Sequence, residues 1–261
     1  MRAGAAGRRN FRCIDLSVPL ENYSMDRDSP HIFYWDHQEG GRRTAKAQGF
    51  DPDLLPDGFG LSAEDVTLNT HTGTHLDAPW HYGPTCGGSR ARGIDEIPLE
   101  WCFGDGVVLD VTHRKPGELI TVADLEHAVA AIEYRIKPYD IVLIRTDATK
   151  RYRKQDFMIS QPGMGREGTL WLLDQGVKVC GIDAWSFDRP LAYMKDDLKA
   201  GNREAFLPAH RVGREREYCH IEKLANLDEI PRPHGFQVSV FPIKIARASG
   251  GWVRAVALVD E

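Results

Sequence analysis

The sequence predicts an α/β fold, a single domain with a mixed, largely β core flanked by helices. Three observations carry that expectation. Apolar runs of strand length outnumber amphipathic helical windows. Only the middle of the chain alternates strand, helix and strand, the pattern of parallel βαβ units. No phosphate-binding Walker loop is present to suggest a P-loop nucleotide fold. With no internal repeat or low-complexity linker, one domain is expected over 11–261, after a disordered lead-in at 1–10.

Taken in order, residues 12–18 alternate in the manner of a strand that ends at Pro19. Residues 20–62, rich in glycine and proline, read as a long irregular excursion whose Phe33, Tyr34 and Trp35 are candidates to cover an apolar substrate. Residues 63–70 form a strand entering the next segment, and 106–112 a buried strand. Thr121 caps a helix to Ile132, with Val122, Leu125, Val129 and Ile132 along one side. Residues 140–146 and 178–183 are apolar strands, separated by a helix over about 166–175 that ends at Gly176. Two further strands, 236–242 and 252–259, complete the chain.

At 261 residues and 42% hydrophobic content the chain is long enough for a full core. A net charge of −5 offers no footprint for nucleic acid or an anionic membrane surface, and no apolar run reaches the length of a membrane span. The first ten residues lack the apolar core of a signal peptide. Five scattered cysteines without a C-x-x-C pair argue for a reducing, cytoplasmic setting.

The densest chemistry lies in Asn69-Thr-His-Thr-Gly-Thr-His-Leu-Asp-Ala-Pro-Trp-His81, where three of the ten histidines fall within eleven residues beside Asp77. Imidazole and carboxylate together are ligands of a divalent ion such as zinc or manganese. His71, His75, Asp77 and His81 all stand at odd positions and share one face of an extended chain. A straight strand would still part His71 from Asp77 by about 20 Å. The chain must therefore bend, most easily at Gly73 and Pro79. A helix with His71 and His75 one turn apart is the rival, and three threonines and a glycine disfavour it.

This pattern, His71-x-Gly-Thr-His-x-Asp-x-Pro-x-His81, resembles the signature of the metal-dependent cyclase family at every fixed position. That family includes kynurenine formamidases, isatin hydrolases, trans-dienelactone hydrolases and aromatic polyketide cyclases. The resemblance implies that His71, His75 and Asp77 hold a first ion. Asp77 would bridge to a second ion held by His210 and Glu222, twelve positions apart. Some members work with a single manganese, so one or two ions are expected. It casts His81 as the acid/base, in keeping with an imidazole's near-neutral pKa.

Read from its residues alone, the segment 209–226 is charged and solvated, with a helix among its readings; on the family spacing His220 and Glu217 are set aside as decoys. Asp183 is a candidate to orient a ligand histidine, with a plain loop aspartate as the alternative, and Trp80 and Trp185 are candidate walls for a flat aromatic substrate.

The expected activity is hydrolysis of a small amide, formamide or lactone, with the ion polarising the carbonyl and lowering the pKa of a water to about 7. A polyketide cyclase is the alternative, and a non-catalytic metal-binding protein the remote one. The partners expected are a small aromatic substrate and, by resemblance, further copies of the chain as a homo-oligomer.

Overall fold

The structure is a computed structural model that describes residues 11–22 and 29–260; the expected lead-in at 1–10 lies outside the described residues. Strands β1 (Phe11–Asp15), β2 (His31–Trp35), β3 (Ala63–Thr67) and β4 (His75–Asp77) occupy the first third, with helices α1 (His37–Gln48) and α2 (Pro79–Tyr82). A small hairpin of β5 (Thr85–Cys86) and β6 (Ser89–Arg90) leads to the long β7 (Phe103–Asp110). The middle of the chain runs β8 (Leu119–Ile120), α3 (Val122–Ala131), β9 (Ile141–Arg145), β10 (Gly163–Met164), α4 (Arg166–Asp174) and β11 (Val179–Ile182). Helices α5 (Leu191–Lys199) and α6 (Pro208–Val212) then precede β12 (Cys219–Glu222), β13 (His234–Ser239), β14 (Gly250–Trp252) and β15 (Val256–Asp260).

Nine strands form one mixed sheet in the order β1-β15-β13-β7-β9-β11-β12-β4-β14, bearing out the expected α/β class. Its parallel centre, β7-β9-β11-β12, comes from the strand–helix–strand stretch, and antiparallel strands extend both sides. Period-2 alternation sends Ile141 and Leu143 to one core and Val142 and Ile144 to the other. Helices α3 and α4 cover the second core through Leu125, Ala128, Leu172 and Leu173. The first core gathers residues from strands at both ends of the sheet, among them Ile14, Leu76, Ile221, Val238 and Val259, so the sheet curls around it.

The capped helix α3 forms as expected: Thr121 and Asp124 satisfy each other's backbone N–H groups in a capping box. Three expectations need correction. The strand expected over 252–259 is broken into β14 and β15. The strand expected over 63–70 ends at Thr67 and pairs with β2, outside the main sheet. The excursion is not irregular, for it contains β2 and the twelve-residue α1. Its adjacent glycines disguise that helix, yet they serve it: a Cβ on Gly40 would lie 1.9 Å from the Leu61 carbonyl oxygen. Asp36 caps α1 by accepting from the Glu39 N–H at 2.8 Å, and Gly49 closes it at φ 73°. Phe33 and Tyr34 are exposed on this arm, and the Arg43 guanidinium sits 3.7 Å from the centre of the Trp35 ring.

Candidate metal centre

The site is built on two neighbouring strands. In the antiparallel pair β4 and β12, Asp77 lies opposite His220 and His75 opposite Glu222. Alternation sends the residues between them, Leu76 and Ile221, into the first core. The remaining four side chains therefore form a square on the helix-bearing face, all at most 7% exposed. The chain reaches β4 through the bend expected at Gly73, whose φ of +63° suits glycine, and leaves it through Pro79, the first residue of α2. That short helix brings His81 back over the square, its Nε2 3.6 Å from Asp77 Oδ2. Helix α6 supplies His210, whose Nε2 is 3.7 Å from Asp77 Oδ2 and 3.6 Å from Glu222 Oε1.

The two oxygens of Asp77 face different partners. Oδ1 meets His71 Nδ1 at 2.7 Å and His75 Nε2 at 3.2 Å, while Oδ2 meets His220 Nε2 at 3.0 Å. Glu222 divides likewise, Oε2 lying 3.6 Å from His75 Nε2 and Oε1 3.4 Å from His220 Nε2. Despite these short approaches, the buried atoms His75 Nε2, Asp77 Oδ2 and His220 Nε2 make no hydrogen bond. Native interiors satisfy nearly all such atoms, and buried carboxylates without a cation cost several kcal/mol each. Lone pairs that converge without hydrogen bonds, two carboxylates and imidazole nitrogens fit a divalent cation.

The surroundings fix each ligand. His75 Nδ1 lies 2.8 Å from the Gly73 carbonyl oxygen, and His71 Nε2 lies 2.9 Å from Ser249 Oγ. Asp188 accepts from the backbone N–H groups of Ala209 and His210 at the start of α6 and meets His210 Nδ1 at 2.6 Å. A proton on Nδ1 leaves His210 Nε2 free for a cation. Glu222 Oε1 accepts from the Phe187 N–H at 2.8 Å.

The charges respond accordingly. Burial opposes ionisation of Asp77 and Glu222, yet the neighbouring imidazoles hold both carboxyls well below their usual range. Burial would lower His220 as well, but the facing carboxylates outweigh it and raise it to about 9. His71 is raised in the same way by Asp77. His81 goes the other way: burial, with His71 and His210 nearby, overcomes the attraction of Asp77 and pushes it down to about 4. It is a neutral imidazole at pH 7, with a third of its side chain exposed.

All six residues expected at the centre from sequence, His71, His75, Asp77, His81, His210 and Glu222, thus meet at one place. His220 is a correction. It was set aside by spacing, yet it stands in the middle of the cluster. The segment with a helix among its readings is α6 followed by the strand β12, and on a strand His220 must share the face of Glu222. Glu217 lies apart, paired with Arg92 at 3.3 Å.

Asp183 is a second correction. Its carboxylate accepts from the N–H groups of Thr146 and Asp147 and from Thr146 Oγ1, so it ties a loop and orients no histidine. Burial pushes its carboxyl up to about 7. Asp188, five residues on, holds the position expected of Asp183. Trp80 is 43% exposed beside His81. Trp185 lies 5.6 Å from Lys223 Nζ, which donates to the His71 carbonyl oxygen at 2.8 Å.

Comparison with known proteins agrees with this geometry. The chain is 28% identical over 253 residues to a kynurenine formamidase of Polaromonas naphthalenivorans, covering 97% of this chain and 93% of that protein. An isatin hydrolase of Roseibium aggregatum is 26% identical over 206 residues, covering 75% of this chain and 74% of the other. The solved structure of isatin hydrolase A from Ralstonia solanacearum superposes with a TM-score of 0.75 at 24% identity, over 97% of this chain and 94% of that one, and so shares the fold. The model of the family described as putative cyclase matches residues 14–189, two thirds of the chain, and carries the motif around β4 with it. The chain belongs to the cyclase family.

Proposed function

We propose that this chain is a metal-dependent hydrolase of a small amide, formamide or lactone. The observation that carries the reading is the convergence of unbonded, buried donors from His75, Asp77 and His220 beneath a partly exposed, neutral His81. The similarity to formamidases and an isatin hydrolase supports a carbonyl substrate attached to an aromatic ring. One or two zinc or manganese ions would be held by His71, His75, Asp77, His210 and Glu222. Such an ion supplies polarisation of the carbonyl and acidification of a water. His81 takes the proton of the attacking water and returns it to the leaving nitrogen or oxygen. Asp188 and Ser249 keep His210 and His71 in orientation. Trp80, exposed next to His81, and Trp185, beyond Lys223, line the approach of a flat substrate.

The five cysteines are free, which supports a cytoplasmic setting, and among the described residues no helix is long and apolar enough to cross a membrane. The exposed apolar side chains of the β2–α1–β3 arm, Phe33, Tyr34, Leu61 and Val66, support assembly into a homo-oligomer.

The test is a panel of N-formylkynurenine, isatin and simple lactones, assayed with zinc and with manganese. At least one should be hydrolysed, and His81→Ala should keep its metal while losing about 10²-fold or more in rate. No turnover of any member, alongside ring closure of a poly-β-ketone, would favour the cyclase instead.

A further inference from the structure

The donors around Asp77 fall into two unequal sets. One set is His71 Nδ1, His75 Nε2 and Asp77 Oδ1, lying toward the partly exposed His81. The other is Asp77 Oδ2, His210 Nε2, His220 Nε2 and Glu222 Oε1, which all lie within 4.8 Å of one another and belong to buried residues. Donors about 2.0–2.2 Å from a common zinc ion stand roughly 3–3.6 Å apart. The separations here are 3.0 Å for His220 to Asp77, 3.4 Å for His220 to Glu222, and 3.6 and 3.7 Å for His210 to the same two carboxylates.

A core histidine satisfied by its neighbours would aim an N–H along one of those carboxylate oxygens. His220 does not: its Nε2 and Asp77 Oδ2 are both buried without a hydrogen bond, although only 3.0 Å apart. The other ring nitrogen is provided for, since His220 Nδ1 lies 3.1 Å from the Tyr82 hydroxyl and 3.3 Å from that of Tyr218. The Tyr218 hydroxyl donates to the Ala209 carbonyl oxygen, and the Tyr82 hydroxyl accepts from the backbone N–H of His220. With a proton kept on Nδ1 by these oxygens, Nε2 is the nitrogen that can give up its proton to a cation. Phe187 stacks on the ring at a centroid distance of 4.6 Å and an interplanar angle of 16°, fixing its tilt.

We infer that His220 is a metal ligand that closes the buried position with a fourth protein donor, so that the two ion positions differ in kind. The buried position holds its ion as an anchor between β4, β12 and α6. The position at His71 and His75 faces the rim and exchanges its ion readily. Four protein donors characterise closed structural sites, and fewer leave room for water and substrate. The inference rests on the metal reading of the site and is independent of the reaction it performs.

The experiment uses the full chain, stripped by chelation and reloaded with zinc or cobalt(II). Metal release to a chromogenic chelator should show a slow phase in the wild type, accelerated about 100-fold or more in His220→Gln, with a changed cobalt visible spectrum. Wild-type release rates and an unchanged spectrum in His220→Gln would overturn the inference. A measurement on the wild type covers a variant that fails to fold. With ring-nitrogen-labelled histidine, the imidazole in contact with Phe187 identifies His220, and its Nε2 resonance should move on zinc addition. A resonance that stays in place while zinc binds overturns the inference and leaves the proposed hydrolase intact. A wild type that takes up no zinc overturns both.

Discussion

The two halves of the metal centre are made in different ways. Residues 71–81 bring His71, His75, Asp77 and His81 together through one bend, a three-residue strand and a single helical turn. Residues 188–222 bring Asp188, His210, His220 and Glu222 together only because α6 and β12 are packed against β4. The first half is local chemistry, set by Gly73 and Pro79. The second depends on strand register, and a shift of one residue in β12 would turn His220 and Glu222 into the apolar core. A local motif announces its ligands by density, whereas a distributed one announces them only by the face they share.

The sharpest way to break the comparison is to remove a ligand from the local half. His75→Ala should lose the ion of the rim position, and activity with it, while the buried position keeps its own, so that bound metal read by elemental analysis in fully loaded protein falls by about half. Full metal retention would show that His75 holds no ion.

A milder effect is expected from a residue that acts through another. Asp188→Asn deprives His210 Nδ1 of its carboxylate and weakens the hold on the start of α6. Metal affinity by chelator competition should fall about 10–100-fold, as when other partners of ligand histidines are removed. An unaltered affinity would show that His210 needs no such orientation.

The smallest effect on the centre is expected at Asp183, the other aspartate of the same segment. Its carboxyl is raised to about 7, against about 4 in an unfolded chain. Between those values the folded chain keeps a proton that the unfolded chain has released. Its contribution to stability is therefore present below about pH 4 and declines as pH rises toward 7, by up to a few kcal/mol. Urea midpoints of the metal-loaded protein from pH 4 to 8 should show a shallower decline in Asp183→Asn, with metal content unchanged. A variant that loses its metal would return Asp183 to the ion site.

Much of this was legible in the sequence, and the reasons are physical. The continuous apolar runs at 140–146 and 178–183 became β9 and β11 because buried parallel strands are apolar on both faces. The Thr121 cap held because its bonds are local. Helix α1 was hidden because Gly40 and Gly41, poor helix formers, are required by the close passage of the 58–61 backbone. Asp183 and Asp188 are indistinguishable by residue type, and only packing sets one against the Thr146 loop and the other against His210.

By itself, then, the sequence determined the α/β class, the bend at Gly73, and the local ligand cluster from His71 to His81, because these depend on near neighbours and on periodicity. The tertiary structure alone decided that His220 joins Asp77, that Asp188 rather than Asp183 orients His210, and that Asp77 and Glu222 each face two sets of donors. Those outcomes follow from the register of β12 on β4 and the docking of α6, where groups more than 130 residues apart come within 3–4 Å. No local rule carries that information, because it is the burial of Leu76 and Ile221 in the core that sets which side chains are left facing the ion.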